Sequence, residues 1–301
     1  VMLVAMGLFH LGTVIKFIPY PIVVGFTAGI ALTIFSTQIN DFFGLGLADV
    51  PGAFISKWGV YFEHIGDISW TTLAVGAVSL AIIVLTPRIS KRLPGALMAI
   101  VVVTAGVALL HSLIPEFAVE TIGDRFGDME TDLPAPQTFA WDMEVINNLM
   151  PWAFTIAVLA AIESLLSATV ADGVTGSHTN SNTELIGQGA ANIVVPFFGG
   201  IPVTGAIART MTNISNGGRT PVAGVVHAVV LLLIFLFAMP LINHVPMACL
   251  AAVLIVVAYN MSGWRTLVAI FHTHRSDISV LLVTFFLTVI FDLTIAIEFG
   301  L

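Results

Sequence analysis

An all-α, polytopic membrane protein is the fold class this sequence predicts, and three observations predict it. Charged residues make up 9% of the 301 positions and hydrophobic residues 57%, where a soluble domain carries about 25% charge. Mean hydropathy is +1.02. Several uncharged apolar runs also reach the roughly 20 residues that a helix needs to cross a hydrocarbon core of roughly 30 Å. Against this background one stretch, FGGIPVTGAIARTMTNISNGG at 198–218, breaks the pattern and organises the functional reading.

Taken in order, residues 1–17 read as the end of a helix closed by Lys16. The run 18–39 is the next span, opened by Pro19 and Pro21, and a polar, aromatic loop follows from Asn40 to about Trp70. Thr71 to Thr86 spans the membrane and stops at Pro87, Arg88, Lys91 and Arg92; Leu93 to Leu110 returns. The loop 111–146 is acidic, with Glu116, Glu120, Asp124, Asp128, Glu130, Asp132, Asp142 and Glu144 opposed by Arg125 alone. Such a cluster is the composition of a solvated face rather than of a cation site. Asn147 to Val170 forms a long helix whose only polar interruptions singled out are Glu163, Ser164 and Ser167. After a hydrophilic turn (170–184), Leu185 to Phe197 forms a shorter helix leading into the break. Beyond the break, Pro221 to Leu241, Pro246 to Met261 and Ile278 to Phe291 are further spans, and Thr294 begins a last one.

Lys16, Arg88, Lys91, Arg92, Arg219, Arg265 and Arg275 fall on one side when the spans alternate, and the acidic loop falls on the other. The excess of Lys and Arg in short loops marks the cytoplasmic side. Chain ends inside hydrophobic segments, with no initiator Met, read as a fragment cut at both ends. A faint internal symmetry relates the run from Ile18-Pro19 to Asn40 to the run from Val245-Pro246 to Ser262. Alternation gives these two runs opposite membrane directions, as an inverted repeat requires.

At the break, Thr204 to Asn216 is long enough for a helix of roughly 20 Å, too short to cross. Lipid does not tolerate an exposed break in the backbone, so such a half-helix is buried or lines a cavity. Its N-terminus carries free N–H groups and partial positive charge, a ready anion site. The expected donors are the backbone amides of Thr204, Gly205 and Ala206; an ordinary Gly/Pro turn is the alternative. Arg209 either adds positive charge to that cavity or snorkels to the interface.

Glu163 lies deep in an apolar helix. Taking a carboxylate out of water costs several kcal/mol in effective terms, so the group must be paired, watered or protonated. It is read as a proton or cation coupling site, the alternative being a protonated structural glutamate. Ser167, four residues on, shares its face and either joins the polar site or bonds its own i−4 carbonyl. Thr210, Thr212, Asn213 and Ser215 add polar surface for helix contacts as much as for substrate. His227 reads as a satisfied core histidine rather than a relay, and Asp292 as an interfacial or helix-terminal group. Cys249, the one cysteine, reads as a small core residue, which excludes an internal disulfide. The chain shows no zinc spacing, nucleophile elbow or phosphate loop, and no basic nucleic-acid surface. Neither an enzyme nor a nucleic-acid partner is expected.

AIESLLSATVADGVTG, then NSNTELIGQGAANIVVPFFGGIPVTGAIARTMTNISNGGRTPVAGVVHA, with FIPYPIVVGFTAGIAL and the Ala-Tyr-Asn-Met-Ser run at 258–262, strongly resemble the SulP (sulfate permease) family of anion transporters. The nearest likeness is to the bacterial branch that includes a C4-dicarboxylate transporter. The resemblance implies fourteen segments in two inverted sevens, divided into core and gate domains, with substrate held between the N-termini of two half-helices. This chain then covers the fourth to the fourteenth segment and lacks the first half-helix and the STAS domain that usually follows. It implies residues 1–19 as the end of a core-domain helix and 20–110 as gate helices of the first repeat. The acidic loop 111–146 is extracytoplasmic, residues 147–241 are core helices with the half-helix at 204–216, and 246–301 are gate helices of the second repeat. Glu163 matches the acidic coupling position, a glutamate in proton-coupled members and an aspartate in a sodium-coupled bicarbonate member. Ser167, Thr204 and Ala206 match positions lining the site. The implied function is proton-coupled uptake of sulfate or a small dicarboxylate by alternating access. A passive anion channel or a sodium-coupled bicarbonate transporter is the alternative. The partners implied are a small inorganic or carboxylate anion, the lipid of a bacterial inner membrane and a second copy of the full-length protein. No cofactor is implied beyond the coupling ion, H⁺ or else Na⁺.

Overall fold

The computed structural model describes residues 1–15, 20–90, 93–114, 117–127, 135–138, 142–215, 217–272 and 274–290. Lys16, Lys91, Arg92, Glu116, Asp128, Glu130, Asp132, Asp292, the end of the 278–291 span and the span beginning at Thr294 lie outside them. Among the described residues regular structure is helical apart from one isolated bridge between Thr121 and Pro246. Six helical stretches among the described residues are long and apolar enough to cross a membrane, which makes this a multi-pass integral membrane protein.

The first helix of the sequence reading is two pieces, α1 (Met2–Leu8) and α2 (Gly12–Ile15), parted at His10, whose φ of 62° lies in the left-handed region. The next span is α3 (Tyr20–Thr37), prolonged by α4 (Ile39–Phe43). The loop expected from Asn40 to Trp70 contains a helix, α5 (Phe54–Glu63). Trp58 anchors it: the indole Nε1 donates to Ser36 Oγ at 3.1 Å and its ring meets Phe54, Tyr61 and Phe62. A single ten-residue helix punctuated by Gly59 and Lys57 leaves little periodic signal, so it passed as loop. After it come α6 (Trp70–Ile89) and α7 (Gly95–Leu113). α6 runs through Pro87 instead of stopping there, because a proline in the last turn costs only one intrahelical bond.

Inside the acidic loop a short helix, α8 (Ile122–Phe126), is closed by a capping box between Thr121 and Asp124. The Thr121 hydroxyl and amide hold the Asp124 carboxyl below its ordinary range. α9 (Met143–Thr175) outruns its expected limits at both ends, capped by Asp142 and stopped at Gly176. α10 (Ser181–Val194) starts from the Asn180 cap. The rest are α11 (Ile207–Ser215), α12 (Val222–Ile242), α13 (Met247–Met261), α14 (Trp264–Ile270) and α15 (Arg275–Ile290).

These helices pack in two groups. In one, α1 lies along α10, and α1, α10 and α11 all rest on α9, around Leu3, Ala157, Ala160, Ala161, Leu165 and Leu185. In the other, α3 and α13 lie side by side, with α4 wedged against α13 and α6 and α14 laid on α3. Cys249 is fully buried here with Val75, Ala99 and Ala248. The pairing in this group is crossed. α15, which follows α13 in the chain, packs on α3, while α6, which follows α3, packs on α13. Two interlocked units of one design, inverted in the membrane, pack in this way, and α3 and α13 are the two runs whose sequences match. α12 buries none of its residues, and its Val225, Leu231 and Phe237 are exposed.

The acidic loop is braced to its neighbours. Arg125 donates to both Glu120 oxygens at 2.9 and 2.6 Å and to Asp41 at 3.0 Å. The Ile122 and Gly123 amides donate to Val245 and Asn243, and Met247 donates to Glu120. The ends of α4, α7 and α12 therefore share one membrane face. Alternation along the helices sends Arg88, Arg219, Arg265 and Arg275 to the other.

The α3–α15 contact is close enough to depend on one glycine. A Cβ on Gly25 would stand 2.5 Å from the Leu281 carbonyl oxygen, and backbone cannot step aside as a side chain can. Gly25→Ala is expected to destabilise the helix pair by about 1–3 kcal/mol, read as a lower thermal midpoint of the purified protein. An unchanged midpoint would mean that α15 does not pack this closely.

Candidate functional site at the broken helix

Between the 3₁₀ turn Val195–Phe198 and α11 the backbone is not helical. Gly199 takes φ 71° to end the turn, and the Gly200 amide closes back on Val195. The next residues have no strand partner, so side chains satisfy them. On one flank Asn192 of α10 pairs with both polar groups of Val203: Val203 N donates to Oδ1 at 2.9 Å and Nδ2 donates to Val203 O at 2.8 Å. Gln188 Nε2 gives the same carbonyl a second bond at 2.6 Å. On the other flank Thr204 Oγ1 donates to Ala160 O at 3.0 Å, and the Gly205 amide donates to Ser164 Oγ at 3.1 Å.

Gly205 is a glycine because α9 leaves no room. A Cβ there would stand 3.2 Å from both Cα and Oγ of Ser164 and 3.6 Å from the Ser167 Cβ. Further along, Ser167 donates to Thr210 at 3.1 Å and not to its own i−4 carbonyl. Ser164 and Ser167 are both buried, and Ala160, Ser164 and Ser167 follow the helical repeat that presents one face of α9. That face carries the broken segment.

Two expectations are corrected. The helix begins at Ile207 rather than at Thr204, since the bonds above hold residues 203–205 out of helical geometry; residue 216 lies outside the described residues. Ala206 is its cap, its carbonyl accepting from Thr210 at 2.9 Å. The Gly205 amide, expected to face an anion, is donated to Ser164. The amides of Ala206 and Ile207 have no partner among the described residues. They stand at the positive end of a nine-residue helix about 14 Å long, roughly half a hydrocarbon core.

Glu163 stands one residue before Ser164 on α9, half-buried, with neither a hydrogen bond nor an ion pair among the described residues. Arg209 is exposed in the first turn of α11 and pairs with no carboxylate among them. Thr204 is also exposed at its surface, while Ala206 is half-buried. His227 is exposed on α12 and has no partner among the described residues, where a satisfied core histidine was expected. Ser164, Gln188 and Asn192 were not read as site residues. The signal available was two amide side chains at i and i+4 in a helix otherwise rich in Gly, Ala and aliphatics. Among the described residues no group of three or more His, Cys, Asp or Glu side chains could hold a metal ion.

A family model described as the sulfate permease family matches residues 1–284. YvdB of Bacillus subtilis (strain 168), named as a candidate sulfate transporter, is 42% identical over 301 residues, covering 100% of this chain and 56% of that protein. The bicarbonate transporter BicA of Synechocystis is 30% identical over 298 residues, 99% of this chain and 51% of that protein. The chain thus spans about half the length of these relatives. The solved transmembrane domain of a cyanobacterial BicA superposes with a TM-score of 0.84 at 29% identity, over 98% of this chain and 74% of that one.

Proposed function

The chain belongs to the sulfate permease family, and from that premise we propose that it is part of a secondary active anion transporter of a bacterial plasma membrane. The transporter takes up sulfate or a small dicarboxylate together with protons. The observation that carries the reading is the pair of unpartnered amides, Ala206 and Ile207, at the N-terminus of a half-helix pinned to the α9 face that also bears Glu163. Those amides and the helix end supply positive potential without a mobile cation. Thr204, Ser167 and Arg209 complete the polar surround. A proton on Glu163 neutralises the negative charge that α9 bears on that face, so a divalent anion enters without this carboxylate opposing it.

Alternating access follows from the two helix groups. The group of α1, α2 and α9–α11 is the core domain that carries the anion, and the group of α3–α7 with α13–α15 is the gate domain it rocks against. Full-length copies pair as a homodimer. In a second reading the anion is bicarbonate, which the likeness to BicA, named a bicarbonate transporter, favours, and sodium is the coupling ion.

Anion binding is tested by thermal unfolding of the complete, purified protein with sulfate, succinate, fumarate, bicarbonate or chloride at matched ionic strength. A ligand at a hundred times its Kd stabilises the folded state by about 2.7 kcal/mol. Stabilisation by sulfate or a dicarboxylate is expected. Stabilisation by bicarbonate alone supports the second reading, and none by any anion contradicts both.

A further inference from the structure

We propose that Asn192 and Gln188 are positioning residues that set affinity for the anion without touching it, an inference that rests on the reading of the half-helix as the anion site. In a hydrocarbon setting a non-helical backbone has no water to bond with, so each polar group must find a partner within the protein. Val203 is the last residue before the segment that delivers the Ala206 and Ile207 amides. Both of its backbone groups are held by α10: the Asn192 carboxamide reproduces the two-point pairing of a sheet neighbour, at 2.9 and 2.8 Å, and Gln188 adds a bond at 2.6 Å to the same carbonyl. Gln188 and Asn192 stand four residues apart, on one face of α10.

Thr204 and Gly205 are meanwhile tied to α9 through Ala160 and Ser164. The three residues ahead of the free amides are thus held from two helices at once, and among the described residues α10 supplies the side chains that bond Val203. Through Val203 the two amides of α10 fix how deep and at what angle Ala206 and Ile207 present their N–H groups relative to Glu163. Loss of that hold leaves the amides present but no longer preorganised, which weakens binding of the anion more than its passage once bound.

The test uses the complete protein in proteoliposomes, with labelled sulfate and succinate as probes. Asn192→Leu removes both of that residue's bonds to Val203. Its KM is expected to rise about tenfold, the change that loss of roughly one net hydrogen bond of stability brings, with kcat within about twofold of wild type. Asn192→Gln keeps both the donor and the acceptor, one methylene further out and without added charge, and is expected to recover part of the loss. Gln188→Leu leaves the Val203 carbonyl with Asn192, so it is expected to have a smaller effect. The double Leu variant is then expected to lose more than the product of the two single effects, because only it leaves that carbonyl bare.

If Asn192→Leu does not yield folded protein, Asn192→Gln and Gln188→Leu carry the same comparison. Folded variants with unchanged KM, or with kcat reduced and KM intact, overturn the inference while wild-type transport stands. If wild-type protein neither binds nor moves either anion, it is the transporter reading that fails.

Discussion

Gly205→Val is expected to reduce anion transport about hundredfold, the scale on which a displacement of about 1 Å near a reacting or binding centre acts. The cause is steric and local. A Cβ at position 205 already meets the backbone Cα and the hydroxyl of Ser164 at 3.2 Å, and the branched methyls of valine reach further. α9 cannot yield there, since its Ala161 and Leu165 are buried in a core shared with Leu3 of α1 and Leu185 of α10. The half-helix must therefore lift away, breaking the Gly205–Ser164 and Thr204–Ala160 bonds and moving the Ala206 and Ile207 amides off their positions. Gly205→Ala needs a shift of only a few tenths of an ångström and is expected to fall between valine and wild type. Uptake rates at equal amounts of folded protein check both; a valine variant that transports at the wild-type rate would show that the contact with α9 does not hold the amides in place.

The second large effect is expected at Glu163. Glu163→Gln keeps the shape of the side chain and fixes it in the neutral state. Accumulation driven by an inward proton gradient is expected to vanish, while exchange of anion for anion across the membrane persists, because the amides of α11 are untouched and no charge has been added. The structure gives Glu163 no hydrogen bond or ion pair among the described residues, so no lost structural contact complicates the comparison. Proton-driven accumulation at the wild-type level in Glu163→Gln would remove this residue from coupling.

The membrane class, the order of the long spans and the broken helix were legible because each leaves a mark that does not depend on packing. Apolar runs give the spans, and Gly199, Gly200 and Pro202 give the break. The match between the runs at Pro19 and Pro246 pointed to inversion, and the crossed packing of α6 and α15 is its three-dimensional counterpart. Glu163 stood out because a carboxylate in a long apolar run needs an explanation. Other features depended on partners far away in the chain. Whether Ser164 bonds its own helix or Gly205, 41 residues on, is not written in its neighbours. The start of α11 moved from Thr204 to Ile207 for the same reason: Asn192, Gln188 and Ser164 capture residues 203–205 before the helix can. α5 escaped notice because its signal is one aromatic face on ten residues. The Arg125 clamp joins Glu120 to Asp41, 84 positions from the arginine, a pairing only the fold brings about.

Uptake by the complete protein in proteoliposomes decides whether this family member concentrates an anion at the expense of a proton gradient. Labelled sulfate, succinate, fumarate and bicarbonate are offered under an inward proton gradient, an inward sodium gradient or no gradient. Accumulation of sulfate or a dicarboxylate above equilibrium is expected with the proton gradient alone. Flux that only equilibrates, or accumulation that follows sodium and ignores protons, would contradict it.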